Sequence, residues 1–104
     1  MMTVIFYPLA SLDLAEAREY LDSRDSSGLA DGFDAELRSI FSKATRNPKH
    51  FHPVPEDARI RRANFNRFSY NMLYAHIEAE DVIFILTIRH NHSHPSFGMD
   101  RTWE

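Results

Sequence analysis

The sequence contains no cysteine. That excludes disulfide staples and thiolate nucleophiles, and it removes the commonest sulfur ligands of structural zinc. The absence is compatible with a reducing compartment. Glycine is scarce, with 3 residues, and no GxGxxG or GK[ST] pattern occurs, so no phosphate-cradling loop is expected. Long apolar runs are missing as well: nothing approaches the roughly 20 residues of a membrane-spanning helix. The opening stretch MMTVIFYP has no basic segment and no cleavage-like site. It reads as a strand of the mature protein rather than as a signal peptide. A basic excess is lacking too, since 12 Lys and Arg face 15 Asp and Glu, a formal charge of -3. General nucleic-acid binders usually show the opposite balance.

What is present describes an ordinary folded chain. Hydrophobic residues make up 43% and charged residues 26% of 104 positions, which suits one domain over residues 1–104 with a modest core. A stabilising partner fits that size. The charge is uneven. Residues 1–48 carry 5 basic and 8 acidic side chains, and residues 49–104 carry 7 of each. Arg59, Arg61, Arg62 and Arg67 fall between Ala58 and His76, where there is no acid.

Periodicity gives the order of elements. Thr3 to Tyr7 is a short β-rich run closed by Pro8, expected to be a strand buried on both faces. Ser11 or Asp13 can cap a first helix, in which Leu14, Ala17 and Leu21 recur at helical spacing while Glu16, Arg18, Glu19 and Asp22 face out. After the polar turn SRDSSG, a second helix carries the stripe Phe33, Leu37, Ile40, Phe41 and Ala44. It ends at Asn47, because Pro48 disfavours helical backbone before it. Pro48 to Asp57 is expected to be a loop. RIRRANFNRF reads as an edge strand or a bulged one. In SYNMLYAHIE, Tyr70, Met72, Tyr74 and His76 share a face. Glu78 to Asp81 is a turn, and VIFILTI is a central strand. The expected fold is α+β: an N-terminal strand, an antiparallel helical hairpin, then a three-stranded antiparallel meander, with the helices on one face of a four-stranded sheet.

Two groups of residues could carry chemistry. If the last strand continued through IRHNHSHP, then Val82, Phe84, Leu86 and Ile88 would share a face with His90, His92 and His94. Three imidazoles in a row could hold zinc, nickel or copper, although neighbours on one face stand almost 7 Å apart and Ser93 and Pro95 point to an earlier strand end. Polar side chains on a strand end are the simpler reading, and no metal is assigned. The second group mixes arginines and rings: Arg61, Arg62, Arg67, Tyr70, Tyr74 and Arg89, followed by Phe97, Arg101 and Trp103. Such a set can grip RNA through phosphates and bases, or an acidic protein surface through carboxylates.

Taken in order, these phrases resemble the RelE/ParE toxin superfamily. The resemblance rests on Arg61-Arg62, Arg67-Phe68-Ser69-Tyr70, Met72-Leu73-Tyr74, the acidic turn Glu78 to Asp81, the apolar strand Val82 to Ile88, and the exit His90 to Pro95. Ala10-Ser11-Leu12-Asp13-Leu14 and the two helices extend it over nearly the whole chain. The resemblance implies a small cytoplasmic toxin of a type II toxin–antitoxin pair, forming a hetero-oligomer with a ParD-like or other small antitoxin and using no cofactor. Leu9, Leu12, Leu29 and Phe51, apolar but outside the obvious core, would form the antitoxin groove.

Two branches of the superfamily imply different activities. RelE-like members are ribosome-dependent mRNA endoribonucleases, whereas ParE-like members inhibit DNA gyrase. Here the arginine that RelE-like enzymes place early in the third sheet strand falls near Asn71, the lysines of the preceding strand have no lysine counterpart, and the basic tail positions are Asn91, His92 and Ser93. The ParE-like reading is favoured, with Arg61, Arg62, Arg67, Arg89, His92, His94, Phe97 and Arg101 as target-binding residues. In the alternative, His92 would act as base and Arg62 or Arg89 would stabilise the pentacoordinate phosphate. A His-rich metal-binding protein is the second alternative.

Overall fold

A computed structural model describes residues 2–24 and 28–103. The elements are β1 (Thr3–Phe6), α1 (Pro8–Arg24), α2 (Leu29–Arg46), β2 (Pro53–Val54), β3 (Asp57–Asn64), β4 (Tyr70–Ile77) and β5 (Val82–His90). A short 3-10 turn, Glu78–Glu80, joins the last two strands. The strands form one sheet in the order β1-β5-β4-β3-β2. All pairings are antiparallel except β1 with β5. The architecture is α+β, with both helices contributing to the core on one face of the sheet.

Several local expectations need correction. The sheet has five strands rather than four, because Pro53 and Val54 of the proline-rich segment pair with β3. β3 is therefore not the edge, but the alternative of a bulge holds, since its pairing with β2 jumps from Arg61 to Asp57. β1 is not buried on both faces: it is an edge strand in which Thr3 and Ile5 are exposed while Val4 and Phe6 lean on the core. α1 starts at Pro8, whose fixed φ and missing N–H suit a first helical position. Ser11 and Asp13 thus lie inside the helix and do not cap it. The turn residues 25–27 lie outside the described residues. α2 ends as expected, with the Asn47 N–H donating to the Lys43 carbonyl.

A bulge in β5 decides which side chains face which layer. Tyr74 pairs with Ile85 and Leu73 with Thr87, so Leu86 has no partner of its own in β4. The extra residue shifts the period-2 alternation by one. Ile83, Ile85 and Ile88 consequently join the helix-side core with Phe33, Met72 and Tyr74. Leu86 packs on the opposite face with Val54, Ile60 and Leu73, beneath Phe84 of β5 and Met99 and Trp103 of the tail. The expected single face through Phe84, Leu86 and Ile88 does not exist. Without the bulge, strict alternation from Ile83 and Ile85 would put Thr87 in the helical core and move Ile88 to the face of Leu86.

Two polar contacts hold the layers in place. The Glu36 carboxylate on α2 accepts the backbone N–H groups of Asn66 (2.5 Å) and Arg67 (3.2 Å), which ties the β3–β4 turn to the helix. β1 ends at Phe6, so the later part of β5 loses its outer neighbour. The Ile85 carbonyl there accepts from the Tyr7 N–H (2.9 Å), and the Leu86 carbonyl accepts from Arg101 Nη1 (2.8 Å). Buried edge carbonyls need such partners, since an unpaired one costs about as much as a lost hydrogen bond.

Candidate functional site

The register places Asn64, Asn71 and Arg89 in one row across β3, β4 and β5. Arg62, Asn64 and Arg89 line a cleft of about 360 Å³ there, closed by the His52–Glu56 segment and Pro95. This is where two of the expected chemical residues, Arg62 and Arg89, come together. Burial, and then the charge of Arg62, lower the Arg89 pKa from its ordinary value, while Glu56 opposes the effect.

Arg89 is used inside the fold. It is 7% exposed. Its Nε donates to Asn71 Oδ1 (3.0 Å), and Nη1 donates to the carbonyls of Pro95 (2.8 Å) and Phe97 (2.9 Å). Asn71 in turn donates through Nδ2 to Asn91 Oδ1 (2.9 Å). One guanidinium thus fixes the exit of the last strand and the first turn of the tail. Charge-assisted bonds of this kind are about twice as strong as neutral ones.

Arg101 is likewise engaged. Its guanidinium pairs with Asp13 of α1 at 2.5 Å, with both side chains largely buried. Asp13 Oδ2 also accepts from the Thr87 hydroxyl (2.7 Å). The Arg101 guanidinium lies over the rings of Tyr7 and Phe97. Asp13 is therefore not the helix cap that its position in the sequence suggests but one half of a buried ion pair. No local pattern marks the pair, whose members stand 88 positions apart.

The remaining arginines are spread out. Arg61 Nη1 donates to the Phe51 carbonyl (2.7 Å) beside buried Tyr74. Arg62 Nε donates to Asn64 Oδ1 (2.8 Å). Arg67 is exposed near the Phe68 ring. Arg61 and Arg62 therefore face opposite layers, and Arg67 sits on the turn beyond them. Trp103 packs on the outer face, with Arg59 over its ring.

The histidines do not form a metal-binding row. β5 ends at His90, and residues 91 onward run through turns. The His90 and His92 rings stack at 5.0 Å, and the His92 N–H donates to His90 Nδ1 (3.1 Å). His94 Nδ1 instead contacts Ser96 Oγ (2.7 Å). Among the described residues no three of His, Asp and Glu are placed to hold a metal ion. The three-imidazole site is thus corrected by the strand end.

On the helical side, Leu9, Leu12 and Tyr20 of α1 are exposed, at 47%, 59% and 47%. Phe97 is 42% exposed. Leu29 and Phe51 differ from Leu9 and Leu12: both pack against the helix-side core. No helix among the described residues is long and apolar enough to cross a membrane.

The model of the ParE toxin of the type II toxin–antitoxin system parDE matches residues 4–95. The chain belongs to the ParE toxin family. Its fold is similar to that of a chain from the chromosomal ParDE system of P. aeruginosa, with a TM-score of 0.70 at 15% identity, covering 86% of this chain and 96% of that one. It is also similar to E. coli toxin RelE, solved as an arginine mutant in complex with an antitoxin RelB peptide. There the TM-score is 0.69 at 10% identity, covering 99% of this chain and 97% of that one. At these identities both likenesses are likenesses of fold. No curated protein matches the chain significantly. This ParE-family chain thus shares a scaffold with both the ParDE-system chain and RelE.

Proposed function

We propose that this ParE-family toxin acts by binding a protein target, DNA gyrase, and that a small antitoxin neutralises it by covering α1. The observation that carries the non-enzymatic reading is the internal use of Arg89 and Arg101. Phosphodiester cleavage by the 2′-hydroxyl requires a base, an acid and a cation aimed at the developing phosphorane charge. Arg89 has its donors on Asn71 and the tail carbonyls, and Arg101 has its charge on Asp13. His92 lies exposed beside His90, outside the Arg62–Arg89 cleft. The antitoxin reading is supported by Leu9 and Leu12, because large apolar side chains held in solvent on a small fold mark a partner surface. Leu29 and Phe51 contribute less, since the core already covers part of them.

The test is induction of the chain alone and beside the small reading frame next to its own. The expected result is growth arrest with a DNA-damage response and loss of gyrase supercoiling by the purified chain, all relieved by the co-expressed neighbour. A second reading, mRNA cleavage, is kept by Arg62, whose guanidinium donates through Nε to Asn64 and lines the cleft. Cut mRNA without a DNA-damage response would establish that reading instead. No effect on growth and no co-purifying neighbour would remove both.

A further inference from the structure

We infer that the cleft between α1 and the end of β5 is a cation-accepting pocket that takes an arginine or lysine side chain of the antitoxin. The inference rests on the functional reading above for its occupant and on the cleft itself for its chemistry. The cleft holds about 490 Å³, enough for a long basic side chain. Four rings line it, and each comes from a different element: Tyr20 from α1, Tyr70 from β4, His90 from β5 and Phe97 from the tail. Tyr70 and His90 meet edge to face at 5.1 Å. The faces of the tyrosine and phenylalanine rings carry negative quadrupole potential, which attracts a cation within about 6 Å of the centroid; Arg24 already lies over Tyr20 at 5.6 Å and Arg101 over Phe97 at 5.3 Å.

The carboxylates give the pocket its sign. Asp13 on the border is neutralised by Arg101. Glu16, one turn further along α1, lines the same cleft with no ion pair among the described residues. The one arginine on the border, Arg89, is buried with its donors on Asn71, Pro95 and Phe97. Around the cleft α1 is acidic: Asp13, Glu16, Glu19 and Asp22 stand against Arg18 and Arg24. Arg18 is itself paired with Asp34 at 3.1 Å. An unneutralised carboxylate beside two tyrosines and a phenylalanine selects a cation rather than an anion or a neutral group.

The surroundings select a side chain over a free amine. Phe97 also lines a shallow groove with Tyr7, Leu9 and Met99, bordered by Asp100 and Arg101, so the pocket opens onto a partly apolar strip. A protein segment lying along Leu9 and Leu12 would place one long basic side chain in the cleft while its apolar residues covered the strip. Apolar cover around a buried, desolvated anchor is how protein interfaces concentrate their energy.

The probe is N-acetyl-arginine methylamide, with the citrulline counterpart as an uncharged control of the same shape. Titrated into the isotope-labelled chain, the arginine probe is expected to shift the ring signals of Tyr20, Tyr70 and His90 saturably, and the citrulline probe is not. Glu16→Gln is expected to weaken the arginine probe about fivefold and Glu19→Gln to leave it unchanged. Glu16 and Tyr20 are exposed, so Glu16→Gln and Tyr20→Ala leave the fold intact. In the complex with the neighbouring small protein, both variants are expected to speed dissociation about fivefold. Equal binding of the two probes, or shifts elsewhere, overturns the pocket. Unchanged dissociation overturns the assigned occupant while the toxin–antitoxin reading stands. A chain that captures no neighbouring protein overturns occupant and functional reading together, and the titration still judges the pocket.

Discussion

Arg101 and Asp13 fasten the end of the chain to its first helix. The pair closes around the β5 bulge, where Asp13 takes the Thr87 hydroxyl and Arg101 takes the Leu86 carbonyl. The bulge leaves a backbone carbonyl facing an edge that β1 no longer covers, and the ion pair supplies what that edge lacks. A feature that a family comparison would count as a basic tail residue is here part of the fold.

Removing either partner leaves the other buried and uncompensated. Arg101→Ala and Asp13→Ala should each cost about 3 kcal/mol, which for a chain of this size lowers the melting temperature by about 10 to 20 °C. Combining Asp13→Leu with Arg101→Met should recover much of the loss but not all, since the Leu86 carbonyl and the Thr87 hydroxyl remain unpaired. Additive single losses in the double variant, measured by denaturant unfolding, would contradict this account.

How much of this was legible in the sequence follows from the range of each signal. The α2 stripe, the end of that helix before Pro48 and the three antiparallel strands are local patterns, and the structure has them. The Leu86 bulge left no mark in VIFILTI, because every residue in that run is apolar or Thr and suits either face. β2 was hidden by its prolines, which edge strands tolerate. Asp13 reads locally as a cap because its partners, Thr87 and Arg101, are remote in sequence. Asn71 stands where RelE-like relatives carry an arginine, and its role as the acceptor for Arg89 follows only from the sheet register.

Gly98 should not tolerate a side chain. Its φ is +83°, and an added Cβ would stand 2.5 Å from Thr87 Cγ2 and 2.9 Å from Thr87 Cβ. Thr87 cannot yield freely, since its hydroxyl is bound to Asp13. Gly98→Ala should therefore destabilise by about 3 kcal/mol, combining overpacking with a left-handed backbone. Thr87→Ser in the same chain removes the clashing methyl and should restore part of the loss. A Gly98→Ala variant with an unchanged midpoint would show that the tail does not sit against β5.

Arg89 and Arg62 line one cleft but should behave differently. Arg89→Ala strips partners from Asn71 and from the Pro95 and Phe97 carbonyls, at a cost of about 3 kcal/mol. Arg89→Lys recovers little, since an ammonium does not reproduce the planar fork. Arg62→Ala removes one exposed bond to Asn64 and should change stability by less than about 0.5 kcal/mol. Only Arg62 can thus be scored for toxicity without a folding correction. Equal melting temperatures for the two alanine variants would return Arg89 to the functional surface.

His76 Nε2 is buried without a hydrogen-bond partner among the described residues. An orphaned ring nitrogen costs about 1 to 3 kcal/mol relative to a satisfied one. His76→Phe keeps the ring volume and removes the polar atom, so unfolding should show stability equal to or above that of the parent. A loss beyond about 1 kcal/mol would mean that the imidazole has a partner in solution.

Tyr74 makes stability fall at high pH. Burial raises its pKa to about 12 from the ordinary 10, against the charge of Arg61. The hydroxyl donates to the Pro48 carbonyl at 2.8 Å, a bond that a phenolate cannot make. Below pH 10 folded and unfolded chains both hold the proton, and the contribution is fully present. Between 10 and 12 the unfolded chain releases it first and so binds fewer protons than the native state. By linkage the stability then falls, by roughly 2 kcal/mol across the window. Tyr74→Phe should lose about 1 kcal/mol at neutral pH through the missing hydrogen bond, and its stability should fall less steeply above pH 10. The measurement is urea unfolding of both chains from pH 9 to pH 12. Curves that stay parallel throughout would show that Tyr74 ionises as readily in the folded chain as in the unfolded one.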